Sequence, residues 1–118
     1  MITIADHGAG NVKSLIDAFD KIGVNVEIGF DQNQILNSDK IVIPGVGHFK
    51  TAMNTLKMYG IDVALKKVAD KGVPILGICL GMQLLYEFSD EGWEKGLSLI
   101  KGKIKKININ DKIKYKLP

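Results

Sequence analysis

The one cysteine of this chain sits in Gly77-Ile78-Cys79-Leu80-Gly81, a G-x-nucleophile-x-G pattern. It follows the apolar run 73–78 and precedes a segment with helical spacing. A strand that turns abruptly into a helix holds its central residue in a strained conformation with the side chain exposed. Glycines on either side remove side chains that would collide in so tight a turn. A cysteine at that turn also lies at a helix N-terminus, where orphan amides and the helix dipole favour a thiolate. The amide of Leu80 then points where an oxyanion develops when the sulfur attacks a carbonyl. The plain alternative is a buried cysteine acting as a small hydrophobe, against which both glycines and the strand-to-helix context argue.

Two other loops offer backbone to a ligand. In Pro44-Gly45-Val46-Gly47 the paired glycines let the chain approach closely and aim amides at a bound group. The second loop, 8–13, nearly matches the dinucleotide fingerprint G-x-G-x-x-G, with Lys13 in place of the third glycine. Glu27 follows at about the distance of a ribose-binding acid. That missing glycine weakens the nucleotide reading, because it permits close helix–strand packing. A thiolate also needs a base, and the two histidines are His7 and His48. Two histidines and one cysteine at these spacings match no zinc pattern, so no metal and no cofactor is expected.

The elements that must position these loops alternate in type. Residues 2–5 read as a strand ending in a glycine turn, and Asn11 is placed to cap a helix. Val12, Leu15, Ile16, Phe19 and Ile22 follow at helical spacing, with Gly23 closing the C-terminus. The spacing predicts strands over 24–28 and 40–43, with a loose segment between them. Helices are expected over 48–58 and 61–71, a strand over 73–78, a helix over 80–88 and a strand-rich end over 97–117. Strand and helix in alternation imply an α/β fold, a doubly wound, mostly parallel sheet with helices on both faces. Ligands of such sheets sit at the carboxyl ends of strands, here 6–10, 44–48 and 79–81.

At 118 residues, 46% hydrophobic and 25% charged, the chain has the balance of one ordinary globular domain rather than a disordered one. Apolar runs of a few residues exclude a bilayer-spanning segment. The start Met1-Ile2-Thr3-Ile4 shows no basic stretch leading into an apolar block, and one cysteine makes no internal disulfide; a cytoplasmic setting is expected. The formal net charge is +3, and every basic residue is lysine. Seven of those lysines fall in 101–118, alternating with Ile104, Ile107, Ile109, Ile113, Tyr115 and Leu117. Period-two alternation reads as two half-buried strands with lysine-covered outer faces. Without arginine forks, nucleic acid is not expected as a partner, nor is a membrane.

The run Gly77-Ile78-Cys79-Leu80-Gly81-Met82-Gln83-Leu84-Leu85 resembles the nucleophile motif of the triad-type (class I) glutamine amidotransferases. Asp6-His7-Gly8-Ala9-Gly10-Asn11, Pro44-Gly45-Val46-Gly47-His48-Phe49 and Glu91-Gly92 resemble the branch that forms the glutaminase subunit of imidazole glycerol phosphate synthase. The resemblance runs along essentially the whole chain. It implies a flavodoxin-like sheet and a heterodimer in histidine biosynthesis. Glutamine would be hydrolysed through a cysteine thioester, and its ammonia would pass by a channel to a cyclase subunit. By this resemblance Cys79 is the nucleophile. Leu80, Val46 and Gly47 form the oxyanion hole, and Gly45, Gln83 and Glu91 bind glutamine. Related subunits that supply ammonia for surface-sugar amination, and a non-catalytic paralogue, are the alternatives.

Two departures from the family pattern stand out. His7 occupies a position where the family usually has tyrosine. The histidine–proline–glutamate motif that supplies the family's catalytic base and its orienting acid is not in this sequence. Residues 1–118 are therefore expected to be a single, incomplete amidotransferase domain with negligible turnover by itself.

Overall fold

A computed structural model describes residues 1–8 and 11–107. Four short apolar runs pair side by side as parallel strands: β1 (Ile2–Ala5), β2 (Val26–Gly29), β3 (Lys40–Ile43) and β4 (Ile75–Gly77). Their order is β2-β1-β3-β4, with Ile4 opposite Ile28 on one side and Val42 on the other. This is the doubly wound α/β sheet expected. The chain leaves β1 towards β2 and later crosses back to β3, so the carboxyl ends of β1 and β3 form the topological switch point.

Helix α1 (Val12–Lys21) is capped by Asn11, whose side-chain oxygen accepts the Ser14 amide at 3.3 Å. Its Val12, Leu15, Ile16 and Phe19 are half-buried, as their spacing requires. Helices α3 (Phe49–Met58) and α4 (Ile61–Asp70) bury Phe49, Ala52, Met53 and Leu56, then Ile61, Ala64, Leu65 and Val68. Those positions recur at i, i+3, i+4 and i+7, one stripe per helix, and close over Ala5, Ile41 and Ile43 of the sheet. Burying such side chains is the main favourable term, about 1.5–3 kcal/mol for each large one.

Four expectations change. The segment between β2 and β3 holds a short helix, α2 (Gln32–Leu36), started by Asp31 accepting the Gln34 amide at 3.0 Å and anchored by fully buried Ile35. The helix expected over 80–88 stops early: α5 is Leu80–Leu84, and Tyr86–Ser89 form strand β5. There the period-two run Tyr-Glu-Phe-Ser pairs with β7 (Ile100–Ile104) in parallel and with β6 (Glu94–Lys95) in antiparallel. Cross-strand partners override a weak helical spacing. Among the described residues after 97, β7 is the one strand, its residues mostly exposed rather than half-buried, and Ile107 is 63% exposed. Residues 108–118, which carry the rest of that alternation, lie outside the described residues. Finally, β4 is shorter than 73–78 and not buried on both faces. Leu76 is 56% exposed, and among the described residues β4 is an edge strand.

Candidate active site

Between β4 and α5 the chain reverses at Cys79, whose backbone takes φ 56° and ψ −118°. That left-handed region is unfavourable for any residue with a Cβ, by roughly 1–3 kcal/mol. It persists because both flanks leave no room for another path. A Cβ on Gly77 would stand 2.6 Å from the Met82 Cα, and a Cβ on Gly81 would run into the Ile43 carbonyl. The Ile78 amide also donates to the Ile43 carbonyl, at 2.9 Å, which ties the elbow to β3. The Cys79 thiol is free and exposed.

The amides at the start of α5 are not orphans, contrary to expectation. Leu80 N–H donates to the Gly45 carbonyl at 3.1 Å, Gly81 N–H to Ile78, and the Met82 and Gln83 amides to the Cys79 carbonyl. The donor offered to an oxyanion is thus occupied by the Pro44–Gly47 loop in this conformation. Pro44 and Gly45 are buried, whereas Val46 and Gly47 are exposed, and Gly47 takes φ 111°. Beneath the loop lies His7, 2% exposed, its Nε2 2.6 Å from the Pro44 carbonyl.

Gln83 and Glu91 line a cleft of about 540 Å3, together with Ser89, Asp90, Lys105 and Lys106. The Glu91 carboxylate accepts the Phe49 amide at 3.4 Å and stands 3.7 Å from His48 Nε2. His48 Nδ1 accepts the Lys50 amide at 3.3 Å, so in the neutral ring the proton is on Nε2, facing Glu91. Cys79, Gly45 and Val46 border a second, shallower cleft of about 320 Å3, with Asn11 and Leu15 of the α1 start. The residues expected to form one site therefore flank α5 in two clefts. The α3 start, reached by both Glu91 and the Pro44–Gly47 loop, connects them.

The structure brings together the three strand ends singled out in the sequence. It does not bring either histidine to the thiol as a base: both nitrogens of His48 face Lys50 and Glu91, and His7 is turned to Pro44. Nor does it favour a nucleotide site. Glu27 pairs in register with Thr3, below the strand ends, and accepts the Thr3 hydroxyl at 3.1 Å. Among the described residues, no three His, Cys, Asp or Glu side chains gather as metal ligands. No helix there is long and apolar enough to cross a membrane. Sequence reading missed Ser89, fully buried, whose hydroxyl accepts the Glu91 amide at 3.1 Å and sets the Glu91 turn. A serine two residues before a turn amide was the available signal.

A strained cysteine elbow at the edge of a doubly wound sheet, over a glycine-rich loop, defines a class of thiol-dependent acyl-transfer proteins. The family described as glutamine amidotransferase class-I matches residues 3–116, and this chain belongs to it. The chain is 47% identical over 117 residues to the imidazole glycerol phosphate synthase subunit HisH of Oceanobacillus iheyensis, covering 98% of this chain and 58% of that protein. It is 48% identical over 108 residues to the subunit of the same name from Listeria innocua, covering 91% of this chain and 52% of that protein. The chain thus spans little more than half the length of these relatives. A crystal structure of a glutamine amidotransferase superposes with TM-score 0.77 over 89% of this chain and 56% of the other, at 17% identity, and shares its fold.

Proposed function

We propose that the intact protein is the glutaminase subunit of an imidazole glycerol phosphate synthase, acting in the cytoplasm as a heterodimer with a cyclase subunit. The observation that carries this reading is the exposed Cys79 thiol on its strained elbow. The names of the relatives support the acceptor. Residues 1–118 are then one amidotransferase domain that needs the rest of the intact protein to turn over.

Cys79 sulfur attacks the side-chain amide carbon of glutamine. The C–N bond breaks, ammonia leaves with the thiol proton, and a γ-glutamyl thioester remains. Water then cleaves the C–S bond, releasing glutamate and restoring the thiol. Leu80 N–H, with the Val46 and Gly47 backbone, receives the oxyanion once Gly45 releases the Leu80 amide. Gln83, Glu91 and Gly45 hold the substrate. Asp90 and Glu91 line the larger cleft together with Lys105 and Lys106, a mix of charges that suits the ammonium and carboxylate of an amino acid. The proton is carried by the histidine of the histidine–proline–glutamate motif that the resemblance implies, since His7 and His48 are engaged elsewhere. Ammonia reaches the cyclase through a channel at the subunit interface, where it is protected from loss.

Intact-mass spectrometry tests this reading, after incubating the intact protein with an electrophilic glutamine analogue. One adduct, absent in Cys79→Ser, is expected. A folded wild-type protein that gains no adduct rejects the glutaminase assignment.

A further inference from the structure

His7 lies just past the end of β1 and Pro44 follows β3, the two strands that meet at the switch point of the sheet. The imidazole is almost completely buried, 2% exposed, and its Nε2 lies 2.6 Å from the Pro44 carbonyl. A carbonyl only accepts, so Nε2 bears the proton, and in the neutral ring Nδ1 is the bare nitrogen. Among the described residues Nδ1 has no partner. The ring is therefore held by one hydrogen bond, and that bond grips the loop. It also supports the next residue: a Cβ on Gly45 would stand 2.7 Å from Nε2 and 3.2 Å from the Leu80 Cβ. The Gly45 carbonyl is in turn the group that occupies the Leu80 amide, at 3.1 Å.

We infer that His7 is a positioning residue that latches Pro44–Gly45 from beneath, in the arrangement where the Gly45 carbonyl covers the Leu80 amide. The chain of contacts runs from the end of β1, through the imidazole, to the amide beside the nucleophile. The Leu80 donor becomes available to an oxyanion only when Pro44–Gly45 moves off the ring. Pro44 has no N–H to donate, so the imidazole bond to its carbonyl is the side-chain hold on this end of the loop, beside the Leu80–Gly45 backbone bond. The kinetic consequence rests on the glutaminase reading; the latch itself does not.

The test compares His7→Phe, which keeps a ring and removes the donor, with His7→Gln, which keeps an N–H of similar reach. In the intact protein, hydrogen exchange at the Leu80 amide is followed by NMR, relative to Leu65 on α4. Glutamine hydrolysis is followed as kcat and KM. In His7→Phe, Leu80 exchange is expected to speed up roughly two- to tenfold relative to Leu65, the range of one net hydrogen bond. The kcat rises in the same range at unchanged KM, and His7→Gln returns both towards wild type. Unchanged Leu80 exchange in His7→Phe overturns the latch. A His7→Gln protein that behaves as His7→Phe overturns it too, because packing and not the donor would then matter. Faster exchange with a lower kcat overturns its restraining role. If wild type hydrolyses no glutamine, the glutaminase reading fails and the Leu80 exchange still decides the latch. Should His7→Phe not fold, Gly45→Ala displaces the ring by its Cβ, and unchanged Leu80 exchange there is equally fatal to the inference.

Discussion

The imidazole of His48 and the carboxylate of Glu91 face each other at 3.7 Å, joining the start of α3 to the turn after β5. The same carboxylate oxygen takes the Phe49 amide at 3.4 Å, so Glu91 sits at the N-terminal end of a helix, where negative charge is favoured. Both side chains are about half exposed, 51% for His48 and 45% for Glu91, which leaves the carboxylate open to a ligand in the cleft it shares with Gln83.

Glu91→Gln keeps the shape and removes the charge. On the proposed role of Glu91 opposite the α-ammonium of glutamine, KM is expected to rise about tenfold or more while kcat changes little, as for a charged hydrogen bond lost equally from ground and transition states. Steady-state kinetics of the intact enzyme check this. An unchanged KM would reduce Glu91 to a helix-capping acid.

Backbone strain at Cys79 makes an opposite prediction for stability and for activity. Cys79→Gly relieves the φ 56° conformation and is expected to stabilise the fold by about 1 kcal/mol, strain relief outweighing the entropy of glycine. Activity is abolished. Cys79→Ser keeps the strain, so denaturant unfolding should find it no more stable than wild type. Equal stability of the glycine and serine variants would contradict a strained elbow.

Gly81 is closed in by backbone rather than by side chains. An added Cβ meets the Ile43 carbonyl and lies 3.1 Å from the Pro44 carbonyl oxygen, so nothing flexible can yield. Gly81→Ala should cost about 3 kcal/mol or more. Gly72→Ala is the control: its φ is +85° with nothing within 4 Å, and the backbone penalty alone, about 1–2 kcal/mol, is expected. Similar losses in the two variants, measured by urea unfolding, would argue against the close approach of α5 to β3.

The Lys57 ammonium donates to Glu94 at 2.9 Å, linking α3 to β6 and holding the Glu94 carboxyl below its ordinary value of 4.5. A depressed carboxylate adds stability above its unfolded pKa, and that stability is lost as pH falls through the folded value. Lys57→Met should therefore cost under about 1 kcal/mol at neutral pH, as for a surface pair. The gap from wild type should close in acid, below the ordinary value of 4.5. A gap that persists in acid would assign the loss to packing of the lysine stem.

Local signals made much of this protein legible. Asn11 before Val12, the paired stripes of α3 and α4, and Gly77 against Met82 act within a few residues of themselves, so spacing alone reports them. The end of α5 at Leu84 did not yield to spacing, because the competing state depends on Ile100 and Lys103 arriving opposite Tyr86 and Phe88. A residue's own sequence neighbourhood carries no trace of a partner strand.

By itself the sequence determined the alternation of strands and helices from β1 to β4 and the glycine-bearing loops between them, because turn sterics and periodicity are short-range. Only the tertiary structure decided what those loops do to one another. The Leu80 amide is covered by Gly45, His7 is buried under Pro44 rather than set beside the thiol, and Glu91 meets His48. Each of these contacts joins segments far apart along the chain. Their geometry follows from the register of β1, β3 and β4 and from the packing of α3 across them, which no run of residues encodes on its own.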